Sequence, residues 1–435
     1  MSERILRVGM LGCGTVGAAV VRLLDSHRDD IERRAGCRLQ VHRVAIRDLA
    51  KARDVPLPPE AFVDDPMAVI EDPDVDIVCE LIGGLEPAGS LVLAAFERDK
   101  PVVTANKELL ANRGRELFDT SDDKGLDLYF EASVGGGIPL IRPLKESLTG
   151  ERVRRVMGIV NGTTNFILTK MSEEGRAFED VLAQAKRLGY AEADPTADVE
   201  GHDAAAKCAI LASIAFNARV VAGDVYREGI ANVTTEDIEF ARRLGYVIKL
   251  LAIAEMGPGE RGGNERISAR VHAAMIPVAH PLASVRDAYN AIFVEGPDVG
   301  ELMFYGRGAG GEATATAVVG DLVTVARNLL AGARGVGCTC FYERTIRPIE
   351  ELTGQYYLLL RVEDRPGVLA EIASVFARSD VSIKSVWQEG FGDDAQLVFI
   401  THRAREGAFQ DAVAALRGLP AVEEVRSVLR VEAEE

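Results

Sequence analysis

The stretch Ile5-Leu6-Arg7-Val8-Gly9-Met10-Leu11-Gly12-Cys13-Gly14-Thr15-Val16-Gly17 decides how the first third of the chain folds. Ile5–Leu11 has the length and apolar character of a buried strand, and Gly12–Gly17 spaces its glycines as G-x-G-x-x-G. Glycines so placed permit a tight turn, let the backbone approach a pyrophosphate and let the next helix pack closely on the strand. That helix is signalled by apolar residues recurring on one face over Ala18–Leu24, and its N-terminus would face the phosphates. The motif alone is weak, but between a strand and a helix it reads as a dinucleotide cradle. Gly12, Gly14, Thr15, Val16 and Gly17 are the expected contacts.

The pattern continues outward from this loop. Gln40–Ile46, Val75–Ile82, Val102–Thr104 and Leu126–Glu131 read as strands, with helices at Ser90–Arg98 and Glu108–Phe118. Alternation of this kind implies right-handed crossovers and a parallel sheet, an α/β Rossmann-type nucleotide-binding domain over residues 1–135. The second strand ends Ala45-Ile46-Arg47-Asp48, with Lys51 beyond. Arg47 and Lys51 suit the 2′-phosphate of NADP, whereas Asp48 suits the 2′-hydroxyl of NAD; NADP is expected, with NAD use left open.

Residues 136–340 differ in character. Helical patterns at Asn165–Glu174, Phe178–Leu188, Ala204–Phe216 and Thr235–Leu244 precede strand-like segments at Ile267–Ile276, Asn290–Gly296 and Leu302–Tyr305. This predicts an α+β catalytic and dimerisation domain with a partly antiparallel sheet. Residues 341–354 read as a linker, and residues 355–435 carry a β-α-β-β-α-β order, the ferredoxin-like arrangement.

Composition bounds the function. The 435 residues suit about three domains. A hydrophobic fraction of 47% with 27% charged residues excludes a disordered chain. A net charge of −17 disfavours nucleic-acid binding. No apolar run approaches the roughly 18 residues of a membrane span, and the N-terminal residues do not read as a secretory signal. The six cysteines form no Cys-x-x-Cys pair, which argues against zinc or a disulfide framework and for a reduced, cytoplasmic protein.

Two lysines draw attention. Thr104-Ala105-Asn106-Lys107 follows a strand at the carboxyl edge of the sheet, where ligands bind in open α/β folds. Lys207 lies on an almost wholly apolar helix, four residues after Asp203 and on the same face. Just upstream, residues 188–198 gather carboxylates in a loop, and with Asp203 these could hold an ammonium group.

With these motifs in view the chain resembles the homoserine dehydrogenase family. The resemblance rests on Gly12–Gly17, Thr104–Lys107, Asn161-Gly162-Thr163-Thr164-Asn165-Phe166 and Gly189–Lys207, and runs in register to about residue 335. The C-terminal segment resembles the ACT amino-acid-sensing module, through Asp364-Arg365-Pro366-Gly367-Val368-Leu369. The resemblance implies reduction of L-aspartate 4-semialdehyde to L-homoserine, with Lys207 as proton donor and Lys107 beside the reacting oxygen and the nicotinamide. It implies substrate contacts from Glu192, Asp203, Asp198, Tyr190, Thr163 and Gly162, and cofactor contacts from Thr104, Lys107, Gly189 and Gly308 in addition to the glycine loop, Arg47 and Lys51. It further implies a sodium ion held by Glu131 and the carbonyls of Val134, Gly136 and Ile138, an effector, threonine, at Asp364, Gly367, Val368 and Leu369, and a homodimer or homotetramer. The competing expectations are another Rossmann-type amino-acid or sugar dehydrogenase and a non-catalytic amino-acid sensor.

Overall fold

The computed structural model describes residues 4–259 and 265–433, which divide into two compact units. The first contains residues 4–156, 206–224 and 290–344, and the second residues 157–205, 225–289 and 345–433.

In the first unit six strands make a parallel sheet in the spatial order Phe62–Val63, Arg38–Ala45, Ile5–Leu11, Ile77–Glu80, Val102–Thr104, Leu128–Tyr129. The strand order reverses beside Ile5–Leu11, and that switch point puts Gly12–Gly17 at the carboxyl edge of the sheet. The expected strands are all present, though the Val75–Ile82 and Leu126–Glu131 expectations shrink to Ile77–Glu80 and Leu128–Tyr129. Residues after Tyr129 turn instead into a 3₁₀ segment, Glu131–Ser133. A helix absent from the sequence reading, Gly311–Ala331, supplies much of the covering layer. Its Ala315, Val318, Leu322, Val325 and Ala326 share one buried core with Val20 and Leu24 of the Thr15–Ser26 helix and with Val8 and Met10 of the first strand.

In the second unit a long antiparallel hairpin, Tyr246–Gly257 with Arg266–Pro277, carries the sheet; its first strand was also absent from the sequence reading. The hairpin is flanked by the helices Gly162–Glu174, Phe178–Arg187 and Thr235–Arg243. The β-α-β-β-α-β module is present as expected, built from Thr353–Val362, Val368–Arg378, Ile383–Glu389, Gln396–Thr401, Glu406–Arg417 and Val422–Val431. Its four strands pair antiparallel in the order second, third, first, fourth. The fourth strand then continues the sheet into the hairpin, pairing parallel at Ala274 with Arg430 and at Met275 with Val431. Beside that seam Arg430 is buried between Glu406 and Glu228, and Arg270 between Glu255 and Glu432.

The stretch expected as a linker makes backbone hydrogen bonds at both ends. The amide of Tyr342 donates to the Asn217 carbonyl at 2.9 Å in the first unit, and that of Arg347 to the Ile267 carbonyl at 2.7 Å in the second. Among the described residues no helix is long and apolar enough to cross a membrane.

Candidate active site

The glycine loop has the conformation its spacing predicted. Gly12 sits at φ +101°, and a Cβ there would lie 2.9 Å from the Leu81 carbonyl oxygen. A Cβ on Gly17 would lie 2.7 Å from the Gly12 oxygen, so this position fixes the close packing of helix on loop. Around Gly14, by contrast, no atom of a described residue beyond Gly14 and its two chain neighbours lies within 4 Å of the Cβ position. That opening faces the start of the Thr15–Ser26 helix, which no side chain caps, and a phosphate fits such a place.

Arg47 and Lys51 stand exposed on the turn after the second strand. A third cation, Arg53, escaped the sequence reading. Its guanidinium donates to the carbonyls of Cys13, Asp48 and Lys51 at 3.3, 3.0 and 2.7 Å, and so ties the glycine loop to that turn. No spacing rule marks such a residue; only the fold brings it back to Cys13.

Across the sheet edge, Glu80 is fully buried and organises the Thr104–Lys107 segment. It accepts from the amides of Ile82 and Gly83 and, at 2.6 Å, from the Thr104 hydroxyl. Thr104 Oγ1 in turn accepts from the Asn106 amide, and the Asn106 side chain caps the helix Lys107–Lys124. The Thr104 hydroxyl is therefore committed to placing Lys107 at the first helical position.

In the second unit the Asn161–Phe166 motif opens the Gly162–Glu174 helix. Asn161 Oδ1 accepts from the Thr164 amide, while its Nδ2 donates to Asp198 Oδ1 at 2.7 Å and to Asp203 Oδ2 at 2.9 Å. Asn161 was quoted in the motif but not singled out; an asparagine at a helix start is the available signal. Thr163 donates to the Tyr190 carbonyl at 2.7 Å, and the Tyr190 ring lies 5.0 Å from that of Phe166. These contacts gather Asn161, Thr163, Tyr190, Asp198 and Asp203. Glu192 stays on the exposed loop, and Gly189 adopts φ +76° with open space around it. Gly162 packs closely, since a Cβ would meet the Ala288 oxygen at 2.7 Å. Lys207 lies one turn beyond Asp203 on the His202–Ala215 helix, and both residues are buried.

Two further expected sites have their own geometry. Gly308 is required by packing, because a Cβ would overlap the Asn290 side chain. The Glu131 carboxylate, expected as a cation ligand, accepts from the amides of Leu140, Ile141 and Arg142 and from the Arg142 side chain. A carboxylate offers about four lone-pair sites, and these donors fill them. The residues therefore do not fit a cation held by the Glu131 side chain; an ion in the Val134–Ile138 loop would be left to backbone carbonyls, including those of Gly136 and Ile138.

In the C-terminal module Gly367 takes φ +96° just before the Val368–Arg378 helix, Val368 is buried and Leu369 exposed. Asp364 accepts from the Gly392 amide at 3.1 Å.

Comparison with known proteins agrees with this geometry. Residues 12–131 match the homoserine dehydrogenase NAD-binding domain family, residues 139–323 the homoserine dehydrogenase family and residues 356–421 the ACT domain family. The homoserine dehydrogenase of Corynebacterium glutamicum is 50% identical, covering 98% of this chain and 95% of its own; that of Bacillus subtilis is 45% identical over 99% of both chains. The crystal structure of a homoserine dehydrogenase from Thiobacillus denitrificans superposes with a TM-score of 0.93 at 43% identity, covering 99% of both chains. A hyperthermophilic archaeal homoserine dehydrogenase solved in complex with NADPH superposes at 0.62 with 26% identity, over 77% of this chain and 99% of its own. A chain with a dinucleotide cradle, a buried acid–lysine helix and an ACT module, matched over its whole length, belongs to the homoserine dehydrogenase family, nicotinamide-dependent oxidoreductases that act on a CH–OH group.

Proposed function

We propose that Lys207 is the proton donor in the reduction of L-aspartate 4-semialdehyde to L-homoserine, and that NADPH is the preferred reductant. The observation that carries this reading is the buried cluster in which Asn161 bridges Asp198 and Asp203, one helical turn before Lys207. When bound, the nicotinamide supplies the hydride. The chain's own residues then have three tasks. The loop Gly12–Gly17 and the N-terminus of the Thr15–Ser26 helix hold the pyrophosphate. Asp198, Asp203 and Glu192 hold the substrate ammonium, with Thr163 and Tyr190 shaping the pocket. The ammonium of Lys207 gives its proton to the aldehyde oxygen as negative charge develops there, and Lys107 stabilises that charge.

Arg47 and Lys51 favour the 2′-phosphate, and the NADPH complex of the archaeal relative supports this choice. The C-terminal module binds threonine about Asp364–Leu369 in a homodimer or homotetramer, and threonine inhibits turnover in the cytoplasm. Replacement of Lys207 by alanine tests the central assignment. Turnover is expected to fall by about 10²–10⁴, the usual contribution of a general acid, with NADPH affinity unchanged by fluorescence titration. Near-normal turnover would remove Lys207 from the mechanism.

A further inference from the structure

A second group of reactive side chains lies in the first unit, in residues 333–344. Four of the six cysteines are buried, but Cys338 and Cys340 are partly exposed. The Cys340 amide donates to Cys338 Sγ at 3.4 Å. Cys340 Sγ also donates to the Ala218 carbonyl at 3.6 Å. Both line a pocket with largely apolar walls, including Phe118, Phe130, Ile214 and Val220. Lys145 and Arg219 line the same pocket, and Lys145 Nζ reaches the Val336 carbonyl at 3.1 Å. A partly exposed thiol in cationic surroundings is the kind that reacts as thiolate. Its neighbour Cys340, through thiol and amide, holds Cys338 below the ordinary thiol range, while the same proximity and burial push Cys340 up.

The segment also braces two helices. The Cys338 amide donates to Asp122 Oδ2 at 3.1 Å, in the last turn of the helix that begins at Lys107. The Tyr342 amide donates to the carbonyl of Asn217, directly after the helix that carries Lys207. Residues 338–342 thus strap together the far ends of the two lysine-bearing helices.

We propose that Cys338 and Cys340 form a thiol–disulfide site at which a low-molecular-weight disulfide oxidises the pair and thereby lowers turnover. The Cys338 thiolate attacks one sulfur of the disulfide RSSR, forming a Cys338–SR mixed disulfide and releasing RS⁻. Cys340, on losing its proton, attacks the Cys338 sulfur and expels the second thiolate, which takes up a proton. The protein dithiol is oxidised by two electrons and RSSR is reduced to two RSH. A disulfide holds its Cα atoms about 4.4–6.8 Å apart, and ring closure across one residue withdraws Cys340 Sγ from Ala218 and re-forms the strap. The effect on turnover rests on the roles proposed for Lys107 and Lys207; the thiol chemistry does not.

The test uses the full chain and oxidised glutathione, with alkylation of remaining thiols, peptide mapping and parallel turnover assays. A Cys338–Cys340 disulfide is expected, with a several-fold fall in kcat that dithiothreitol reverses. Cys340→Ser is expected to stop at one glutathione on Cys338, and Cys338→Ser to keep its turnover under oxidant. The proposal is overturned if the pair stays reduced, if another cysteine accounts for the inhibition, or if the disulfide forms without changing kcat. Because the mapping is independent of activity, a failure of the lysine assignments is distinguishable from a failure of the thiol chemistry.

Discussion

At the residue scale, the two arginines on the turn after the second strand have separable tasks. Arg47 stands exposed and, in the proposed cofactor site, meets the 2′-phosphate, whereas Arg53 spends its guanidinium on Cys13, Asp48 and Lys51. Arg47→Ala is therefore expected to raise KM for NADPH much more than for NADH, since only the former carries the phosphate. Arg53→Ala should raise both, because it loosens the loop that holds the shared pyrophosphate. Steady-state kinetics with each cofactor checks this; equal effects of Arg47→Ala on both would make it a surface residue. Arg47 was singled out because it follows the second strand of the sheet, where a residue can meet the adenosine ribose. Arg53, Glu80 and Asn161 were not singled out, because each acts on partners 24 to 42 residues away in sequence that only the fold brings near.

At the element scale, the glycine loop separates packing from binding. Gly14→Ala introduces a Cβ into open space and should leave thermal stability nearly unchanged while weakening cofactor binding. Gly17→Ala drives a Cβ against the Gly12 oxygen, and is expected to lower both stability and binding. Melting curves with and without NADPH distinguish the two. The Gly162–Glu174 helix is pinned differently. Asn165 Nδ2 donates to the carbonyls of Val285, Asp287 and Tyr289, and its Oδ1 accepts from the buried Lys249 at 2.9 Å. Asn165→Ala should cost on the order of 2–3 kcal/mol by leaving these groups unsatisfied. Burial lowers Lys249 to about 8 from its ordinary 10.5. Between those values the unfolded chain holds a proton that the folded chain has released, so stability rises with pH across the window. The slope is at most about 1.4 kcal/mol per pH unit. Lys249→Met should flatten it in denaturant titrations at pH 8 to 10, and an unchanged slope would assign it elsewhere.

The elements that sequence reading found are those with clear periodicity and punctuation, such as Ile5–Leu11 and Val422–Val431, whose limits agree with the structure. The Tyr246–Gly257 strand is an almost unbroken apolar run, in which strand and buried helix read alike. The Gly311–Ala331 helix opens with Gly311-Glu312-Ala313-Thr314-Ala315-Thr316-Ala317-Val318-Val319-Gly320, where two threonines, two valines and two glycines of low helix propensity offset the alanines and blur the helical signal. Packing against the first strand and its helix decides its conformation, and that information lies some 300 residues away.

At the scale of the whole molecule, the ACT module is part of a sheet rather than an appendage. Removing residues after 350 would bare the Arg266–Pro277 strand at Ala274 and Met275, and would leave Glu228 and Arg270 without Arg430 and Glu432. Such a truncation is expected to melt at lower temperature or aggregate, because buried charges that lose a partner are strongly destabilising. Asp364→Ala is the cleaner probe of sensing: it should retain basal turnover and lose threonine inhibition. Soluble, stable and threonine-insensitive enzyme from the truncation would instead show that the seam contributes little.

Each compact unit draws on three separate stretches of chain, and the His202–Ala215 helix passes from one set to the other. This interleaving governs the order of events on the ribosome. The parallel sheet built by residues 5–129 lacks the covering layer of Ala315, Val318 and Leu322 until residues beyond 330 have emerged. The Arg266–Pro277 strand likewise waits for Val422–Val431. For much of its synthesis the chain therefore carries two unfinished sheets with apolar faces open to solvent, and nascent chains of intermediate length are the form most dependent on chaperones.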